Sequence, residues 1–163
     1  MKKLIAIFIA IALILLSIDN SLAKQKTTAS KAFNPQTFSQ IKQQYFGQKW
    51  LLILWSVECP PCMKELALVK TLQQEQEDLA VVIINVDTGE EHEVQRQEII
   101  AHFQLTQVTQ LYFRDGFEAH SRYLIDPQWF GELPRSYFID EAGIFHGKSG
   151  LVDKIIISKW LLS

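Results

Sequence analysis

The sequence predicts an α/β domain in which helices flank a central mixed β-sheet. Two continuously apolar runs, at residues 50–57 and 79–86, are typical of strands that are covered on both faces. Between them, apolar residues recur with a helical period over about residues 60–77, so a helix joins the two strands and they lie parallel. Near the C-terminus, strands at 135–140 and 144–148 are separated by a short turn, which predicts an antiparallel hairpin.

The remaining predicted elements complete one domain. Asn34 and Pro35 are suited to be the N-cap and the first residue of a short helix. The apolar side of that helix would carry Phe38, Ile41, Tyr45 and Phe46. The elements that follow the second buried strand are a helix at 90–103, a strand at 110–113, a helix at 118–124 and a closing helix at 152–162.

The first 23 residues have the pattern of a secretory signal. A basic start precedes an unbroken apolar run at residues 4–16, and the small residue Ala23 fits a cleavage site. The run is shorter than the roughly 20 residues of a spanning helix, so we expect cleavage after Ala23. The alternative is an uncut membrane tether through residues 4–18. Both interpretations place the folded domain outside the cytoplasm.

Length and composition indicate an ordinary globular protein. The chain has 163 residues, of which 48% are apolar and 21% charged, which is enough apolar material for a sizeable core. We expect a flexible lead-in at residues 24–32 and a single folded domain at 33–163. The formal net charge is −2 and the sequence has no Lys/Arg cluster, so nucleic acid is disfavoured as a partner.

The two cysteines of the chain, Cys59 and Cys62, stand where a buried strand leads into a helix. The free backbone N–H groups and the dipole at a helix N-terminus lower the pKa of a thiol there, so Cys59 would be the nucleophile. Cys62 lies one turn further along and would be the resolving thiol. An alternative is an inert bridge in a secreted interaction domain, although so short a loop gains little stability from a crosslink.

Two prolines between the cysteines bear on the direction of electron flow. Pro60 and Pro61 have no N–H group, so two potential donors to a Cys59 thiolate are missing. A less stabilised thiolate makes a weaker oxidant, which favours a reductant or a mid-potential exchanger. A dithiol oxidase or isomerase is the alternative within the same chemistry.

These motifs carry a family resemblance. Trp-Ser-x-x-Cys-x-x-Cys-x-x-Glu occupies residues 55–65, and Glu132-Leu133-Pro134 leads into a strand that ends Ile-Asp-x-x-Gly at residue 143. Over residues 33–162 the chain resembles the thioredoxin superfamily, and within it the exported TlpA-like or ResA-like thiol:disulfide oxidoreductases. The resemblance implies a thioredoxin-like fold.

The resemblance also implies roles for residues outside the cysteine pair. Pro134 would be preceded by a cis peptide bond and face the disulfide, and the backbone of Leu133 would pair with an extended substrate segment. Glu65 would lie behind the cysteines and assist proton movement, since burial raises the pKa of a carboxyl group. The alternative for Glu65 is a solvated helix glutamate. Glu58 stands where many relatives have an aromatic residue, and its carboxylate would oppose formation of a thiolate.

Three further residues have two interpretations each. Arg135 would provide a cationic contact for the substrate or be an ordinary surface residue of its strand. Trp129, with Phe130, would form an apolar wall beside Cys59 or take part in ordinary loop packing.

The activity implied by the resemblance is exchange of electrons with protein disulfides in an extracytoplasmic space such as the periplasm. A reductase there needs electrons from across the membrane, so a membrane thiol carrier is the implied donor. Apocytochrome c, as in cytochrome c maturation, or wrongly paired secreted proteins are the implied targets. No cofactor is expected. The four histidines are scattered, and the close cysteine pair disfavours a copper carrier or a peroxidase.

Overall fold

The computed structural model describes residues 30–76 and 78–162. The strands are β1 (Lys31–Ala32), β2 (Trp50–Trp55), β3 (Val81–Asn85), β4 (Thr109–Tyr112), β5 (Arg135–Ile139) and β6 (Phe145–Ser149). The α-helices are α1 (Pro35–Gln44), α2 (Pro60–Glu75), α3 (Glu93–His102), α4 (Glu118–Ile125) and α5 (Lys154–Leu162). Within these described ranges no helix is both long and apolar enough to cross a bilayer. The predicted signal segment lies outside the described residues.

The strands form one six-stranded sheet in the order β1-β4-β3-β2-β5-β6. The central strand β2 is parallel to β3 and antiparallel to β5, so the sheet is mixed, as predicted. Every residue of β2 and β3 is buried, as expected for strands covered on both faces. The central strand therefore delivers the chain to an edge of the sheet where α2 begins.

Two apolar clusters cover the two faces of this sheet. Alternate side chains of a strand point to opposite faces, and Ile53 accordingly joins one cluster while Leu52 joins the other. The first cluster contains Cys62 and Leu66 of α2. The second contains Trp129 from the loop that precedes β5. The cysteine pair and the loop before β5 are therefore anchored in opposite halves of the core.

The types of the predicted elements are confirmed, while their ends differ at two informative places. β2 ends at Trp55, two residues before the predicted end, because the backbone N–H of Val57 donates to the side chain of Asp87. The helix predicted at 90–103 begins with a 3-10 turn and becomes α-helical at Glu93. The first difference lies in the segment that leads from β2 to the cysteine pair.

The N-terminal part of the domain differs from prediction in two respects. Lys31 and Ala32 pair in parallel with β4, so regular structure begins within the segment predicted as a flexible lead-in. Asn34 caps α1 as predicted, and its side chain accepts the N–H of Thr37 at 2.9 Å. Phe46 does not join the apolar side of that helix, because the helix ends before it and its side chain is 76% exposed.

Candidate active site

A disulfide joins Cys59 and Cys62 at the N-terminus of α2. Cys59 is the N-cap residue of that helix, and its Sγ accepts the backbone N–H of Cys62 at 3.2 Å. Cys59 is partly exposed, whereas Cys62 is 0% exposed. A macromolecule can therefore approach the sulfur of Cys59 and is excluded from that of Cys62.

The sulfur of Cys59 accepts one backbone N–H from residues 57–62, all of which the structure describes, and this donor is Cys62. Pro60 and Pro61 have no N–H to offer. The three preceding N–H groups are used elsewhere: that of Val57 by Asp87 Oδ2 at 2.7 Å, that of Glu58 by Ser56 Oγ at 3.1 Å, and that of Cys59 by Ser56 O at 3.2 Å. A thiolate at Cys59 would therefore gain less hydrogen bonding than a helix N-terminus usually provides.

Asp87, just beyond β3, holds the connection between β2 and α2. Its Oδ1 accepts the hydroxyl of Ser56 at 2.6 Å, and its Oδ2 accepts the N–H of Val57 at 2.7 Å. Oδ2 also accepts a side-chain N–H of Asn85 at 2.7 Å. Sequence reasoning missed this residue. The available signal was a polar pair at the carboxyl end of a buried strand, since the carboxyl ends of parallel strands meet at one edge of a sheet.

Glu65 is buried behind the cysteine pair, on the same side of α2 as Cys62 and one turn further along. Its side chain is 1% exposed, so the interpretation as a solvated helix glutamate is wrong. The hydroxyl of Ser136 lies 2.5 Å from Oε1, and the backbone N–H of Val152 donates to Oε2 at 3.1 Å. Burial raises the pKa of Glu65 above its usual value, and the hydrogen bonds from Ser136 and Val152 oppose that effect.

The peptide bond between Leu133 and Pro134 is cis, as the resemblance implies. The register of β5 places Arg135 opposite Leu54, so Pro134 lies at the edge of the sheet where β2 ends and the chain turns toward Cys59. The carbonyl of Pro134 accepts the N–H of Gly150 at 2.9 Å. Leu133 is partly buried against both apolar clusters.

Arg135 is held by partners within the protein. Its guanidinium donates to Asp126 Oδ2 at 3.0 Å and to Ser149 Oγ at 2.7 Å, and it lies 4.8 Å from the centre of the Tyr137 ring. Burial raises the pKa of Tyr137, so its hydroxyl stays protonated and donates to the same Asp126 oxygen at 3.0 Å. Arg135 is therefore not a plain surface residue, since it ties the loop before β5 to β6.

Trp129 takes part in core packing and does not form a wall beside Cys59. Its side chain is 4% exposed and belongs to the apolar cluster on the face of the sheet opposite Cys62. Its indole N–H donates to the carbonyl of Glu132 at 2.9 Å. Phe130, in contrast, is 92% exposed.

Two of the histidines bind separate groups within the protein. The Nδ1 of His92 lies 2.8 Å from Thr88 O, and the Nε2 of His146 lies 2.9 Å from Asp140 Oδ2. Among residues 30–76 and 78–162, no group of three or more His, Cys, Asp or Glu side chains could hold a metal ion.

No family model and no curated protein matches the chain, whereas many solved structures do. A thioredoxin-like protein solved in its oxidised form matches with a TM-score of 0.59 and 19% identity, over 87% of this chain and 90% of its own. The chain has a thioredoxin-like fold. This confirms the fold that the cysteine and proline motifs indicated.

Two further structures share the thioredoxin-like fold. A secreted disulfide oxidoreductase of Mycobacterium tuberculosis, described as homologous to E. coli DsbE, has a TM-score of 0.57 and 15% identity, over 74% of this chain and 84% of its own. A thiol:disulfide interchange protein of the thioredoxin family from Chlorobium tepidum has a TM-score of 0.56 and 15% identity, over 86% of this chain and 97% of its own. At these identities the likeness is one of fold.

We expect Asp87→Ala to lower the free energy of unfolding by about 2–3 kcal/mol, because partly buried donors at Ser56 and Val57 lose their acceptor. Urea unfolding monitored by circular dichroism measures the loss. Asp140→Ala is the matched control, since Asp140 also accepts backbone N–H groups but in an exposed turn where water replaces it. Equal losses in the two variants would contradict a special role for Asp87.

Glu65→Gln should change how stability depends on pH. Because the pKa of Glu65 is raised in the folded state, its stabilising contribution is complete below the unfolded-state value of about 4.3 and is lost as the pH rises through the folded-state pKa. The wild type should therefore lose stability relative to Glu65→Gln as the pH rises above about 4.3. Urea midpoints across this range test the trend, with Glu75→Gln at the exposed end of the same helix as control. A constant difference between wild type and Glu65→Gln would refute it.

Proposed function

We propose that the protein is an extracytoplasmic thiol:disulfide oxidoreductase that exchanges electrons with protein disulfides through Cys59 and Cys62. The observation that carries the proposal is the pairing of a partly exposed cysteine at a helix N-terminus with a fully buried cysteine one turn away. Cys59 can form a mixed disulfide with a substrate protein, whereas Cys62 can react only with Cys59. The similarity in fold to solved thiol:disulfide oxidoreductases supports the same activity.

The exchange proceeds through a mixed disulfide. The thiolate of Cys59 attacks one sulfur of the substrate disulfide, a new S–S bond forms, and the other substrate sulfur leaves with the electron pair. Cys62 then loses its proton and attacks the sulfur of Cys59, which releases the second substrate thiolate. One substrate disulfide is reduced to two thiols, and the dithiol of the protein is oxidised to the disulfide.

Reduction of the substrate is the proposed direction. The reduced form of a dithiol is favoured when its thiolate is well stabilised, and such a protein is a strong oxidant. Cys59 accepts one backbone N–H, and the exposed carboxylate of Glu58 stands next to it in the chain. Weak stabilisation of the thiolate therefore supports a reductant.

The proposed substrates dock beside Pro134. Because β5 begins at Arg135, the backbone of Leu133 lies just before the paired part of the strand, at the edge of the sheet where β2 ends. An extended substrate segment that hydrogen-bonds this backbone would add to the fold as a strand does. Recognition through main-chain groups suits an enzyme that acts on many unfolded segments, such as apocytochrome c or wrongly paired secreted proteins.

The proposed location outside the cytoplasm requires a source of electrons. An oxidising compartment does not reduce the Cys59–Cys62 disulfide again, so the proposed donor is a membrane thiol carrier. The signal-like pattern of the first 23 residues supports this location, and one of the structures similar in fold is a secreted protein.

Trapping tests the exchange activity. We expect Cys62→Ser to accumulate mixed disulfides with cellular proteins through Cys59, because the second step is blocked while the first is intact. The adducts are detected on non-reducing gels, disappear with dithiothreitol and are identified by mass spectrometry. Cys59→Ser is the matched control and should trap nothing, since Cys62 is buried. Equal adduct levels in the two variants, or none in either, would sink the proposed function.

Equilibration with glutathione tests the direction of electron flow. We expect a reduction potential well below the value of about −120 mV that marks strongly oxidising dithiol proteins. Pro61→Ala restores an N–H in the first turn of α2 and should shift the potential toward that oxidising value, because the new donor stabilises the Cys59 thiolate. Pro35→Ala, in the first turn of α1, is the control and should leave the potential unchanged. A wild-type potential near −120 mV would favour the oxidase or isomerase instead.

A further inference from the structure

Glu65 is bound by two groups from different parts of the fold. Ser136 on β5 places its hydroxyl 2.5 Å from Oε1, and Val152, just before α5, donates its backbone N–H to Oε2 at 3.1 Å. Ser136 is 0% exposed and its backbone is paired on both sides, with Ile53 of β2 and Lys148 of β6. The hydroxyl is therefore held in place by the sheet.

The two contacts differ in what they allow chemically. A backbone N–H can only donate, so Oε2 must accept from Val152 whether Glu65 is charged or neutral. A hydroxyl both donates and accepts, so Ser136 can donate to an ionised Oε1 or accept a proton bound to Oε1. Of these two partners only Ser136 can accept the proton of a neutral Glu65, so that proton gains a hydrogen bond on Oε1 and finds no acceptor in Val152 on Oε2.

We propose that Ser136 is a positioning residue for the resolving step: it holds the proton of Glu65 on Oε1 and stabilises the carboxylate once that proton has left. The inference rests on the proposed function and deepens it. Without a partner that serves both states, a carboxyl group this deeply buried would stay neutral and could not accept a proton from Cys62.

Few other groups near Glu65 could stabilise both its protonated and its ionised form. Cys62 lies one turn back on α2, β5 contributes the hydroxyl of Ser136, and the segment before α5 contributes the N–H of Val152. Burial and these two hydrogen bonds are the causes that shift the pKa of Glu65, and no charged side chain of the described residues is among them. Loss of the Ser136 hydroxyl should therefore raise that pKa further.

The hydrogen bond from Ser136 should affect only the second step of the exchange, in which Cys62 attacks Cys59. At the mixed disulfide, the Cys62 thiol gives its proton to the carboxylate of Glu65, and the freed sulfur attacks the sulfur of Cys59. The bond from Cys59 to the substrate breaks, and the substrate sulfur leaves with the electron pair. The attack of Cys59 on the substrate comes earlier and does not involve Ser136. A change at residue 136 should thus alter the second step and spare the first.

Stopped-flow kinetics with dithiobis(nitrobenzoate) separates the two steps, because each releases one coloured thionitrobenzoate. The reduced full-length protein is mixed with this probe from about pH 4 to about pH 9. We expect Ser136→Ala to move the midpoint of the second phase upward by about one pH unit, with the first phase unchanged. Ser121→Ala, which removes another buried serine hydroxyl on α4, is the matched control and should change neither phase.

Two further comparisons distinguish proton positioning from a structural effect. Ser136→Thr keeps the hydroxyl, and Ser136→Val has the shape of the threonine side chain without the hydroxyl. The midpoint of the second phase should therefore lie higher in the Val variant than in the Thr variant, and this comparison holds even if Ser136→Ala fails to fold. In a Glu65→Gln background, Ser136→Ala should cause no further change in the second phase.

An unshifted midpoint in folded Ser136→Ala, or an equal shift in the Glu65→Gln background, would overturn the inference about Ser136 while leaving the exchange activity intact. A wild-type protein that releases no thionitrobenzoate at all would instead count against the proposed function. The two failures therefore give different results in the same measurement.

Discussion

The supply of hydrogen-bond donors to the Cys59 sulfur is the constraint on which the rest of the site depends. A helix N-terminus offers several free N–H groups to whatever lies there. In this protein two of the first-turn positions are proline, and Asp87 together with Ser56 occupies the N–H groups that come before Cys59. The N–H of Cys62 is what reaches the sulfur. The helix thus places Cys59 at an accessible end while limiting the stabilisation of its charge.

A second constraint follows from the depth at which the resolving sulfur lies. Cys62 belongs to an apolar cluster between α2 and the sheet, and a thiolate there is costly because charge is poorly solvated. The proton that leaves this sulfur cannot pass directly to bulk water. In the proposed exchange, the acceptor is the buried carboxyl group of Glu65, one turn further along α2, which is hydrogen-bonded to β5 and to the segment before α5. The exposed and buried halves of the dithiol therefore have different electrostatic surroundings.

The sequence allowed prediction of the parts of the site that depend on local pattern. The continuous apolar run of β2, the helix that follows it and the spacing of the two cysteines are local, and the fold that they predict is the one observed. Contacts between distant segments were not predictable in this way. Ser56 and Asp87 are 31 residues apart, and Glu65 and Ser136 are 71 apart. The pattern of residues within one segment does not indicate which polar side chain of a distant segment it will contact. Strand register and the packing of the helix on the sheet determine these contacts.

Arg135 and Trp129 show why the fold alone does not decide between two interpretations of a residue. The sequence left a substrate contact or wall and an ordinary structural position open for each residue, and the structure packs Trp129 on the face of the sheet opposite Cys62. There the indole N–H of Trp129 binds the carbonyl of Glu132, and the guanidinium of Arg135 binds Asp126. The Trp129 contact holds the loop before Pro134 from within, and the Arg135 contact ties that loop to β5. These side chains therefore hold the backbone segment that leads through Pro134 into β5.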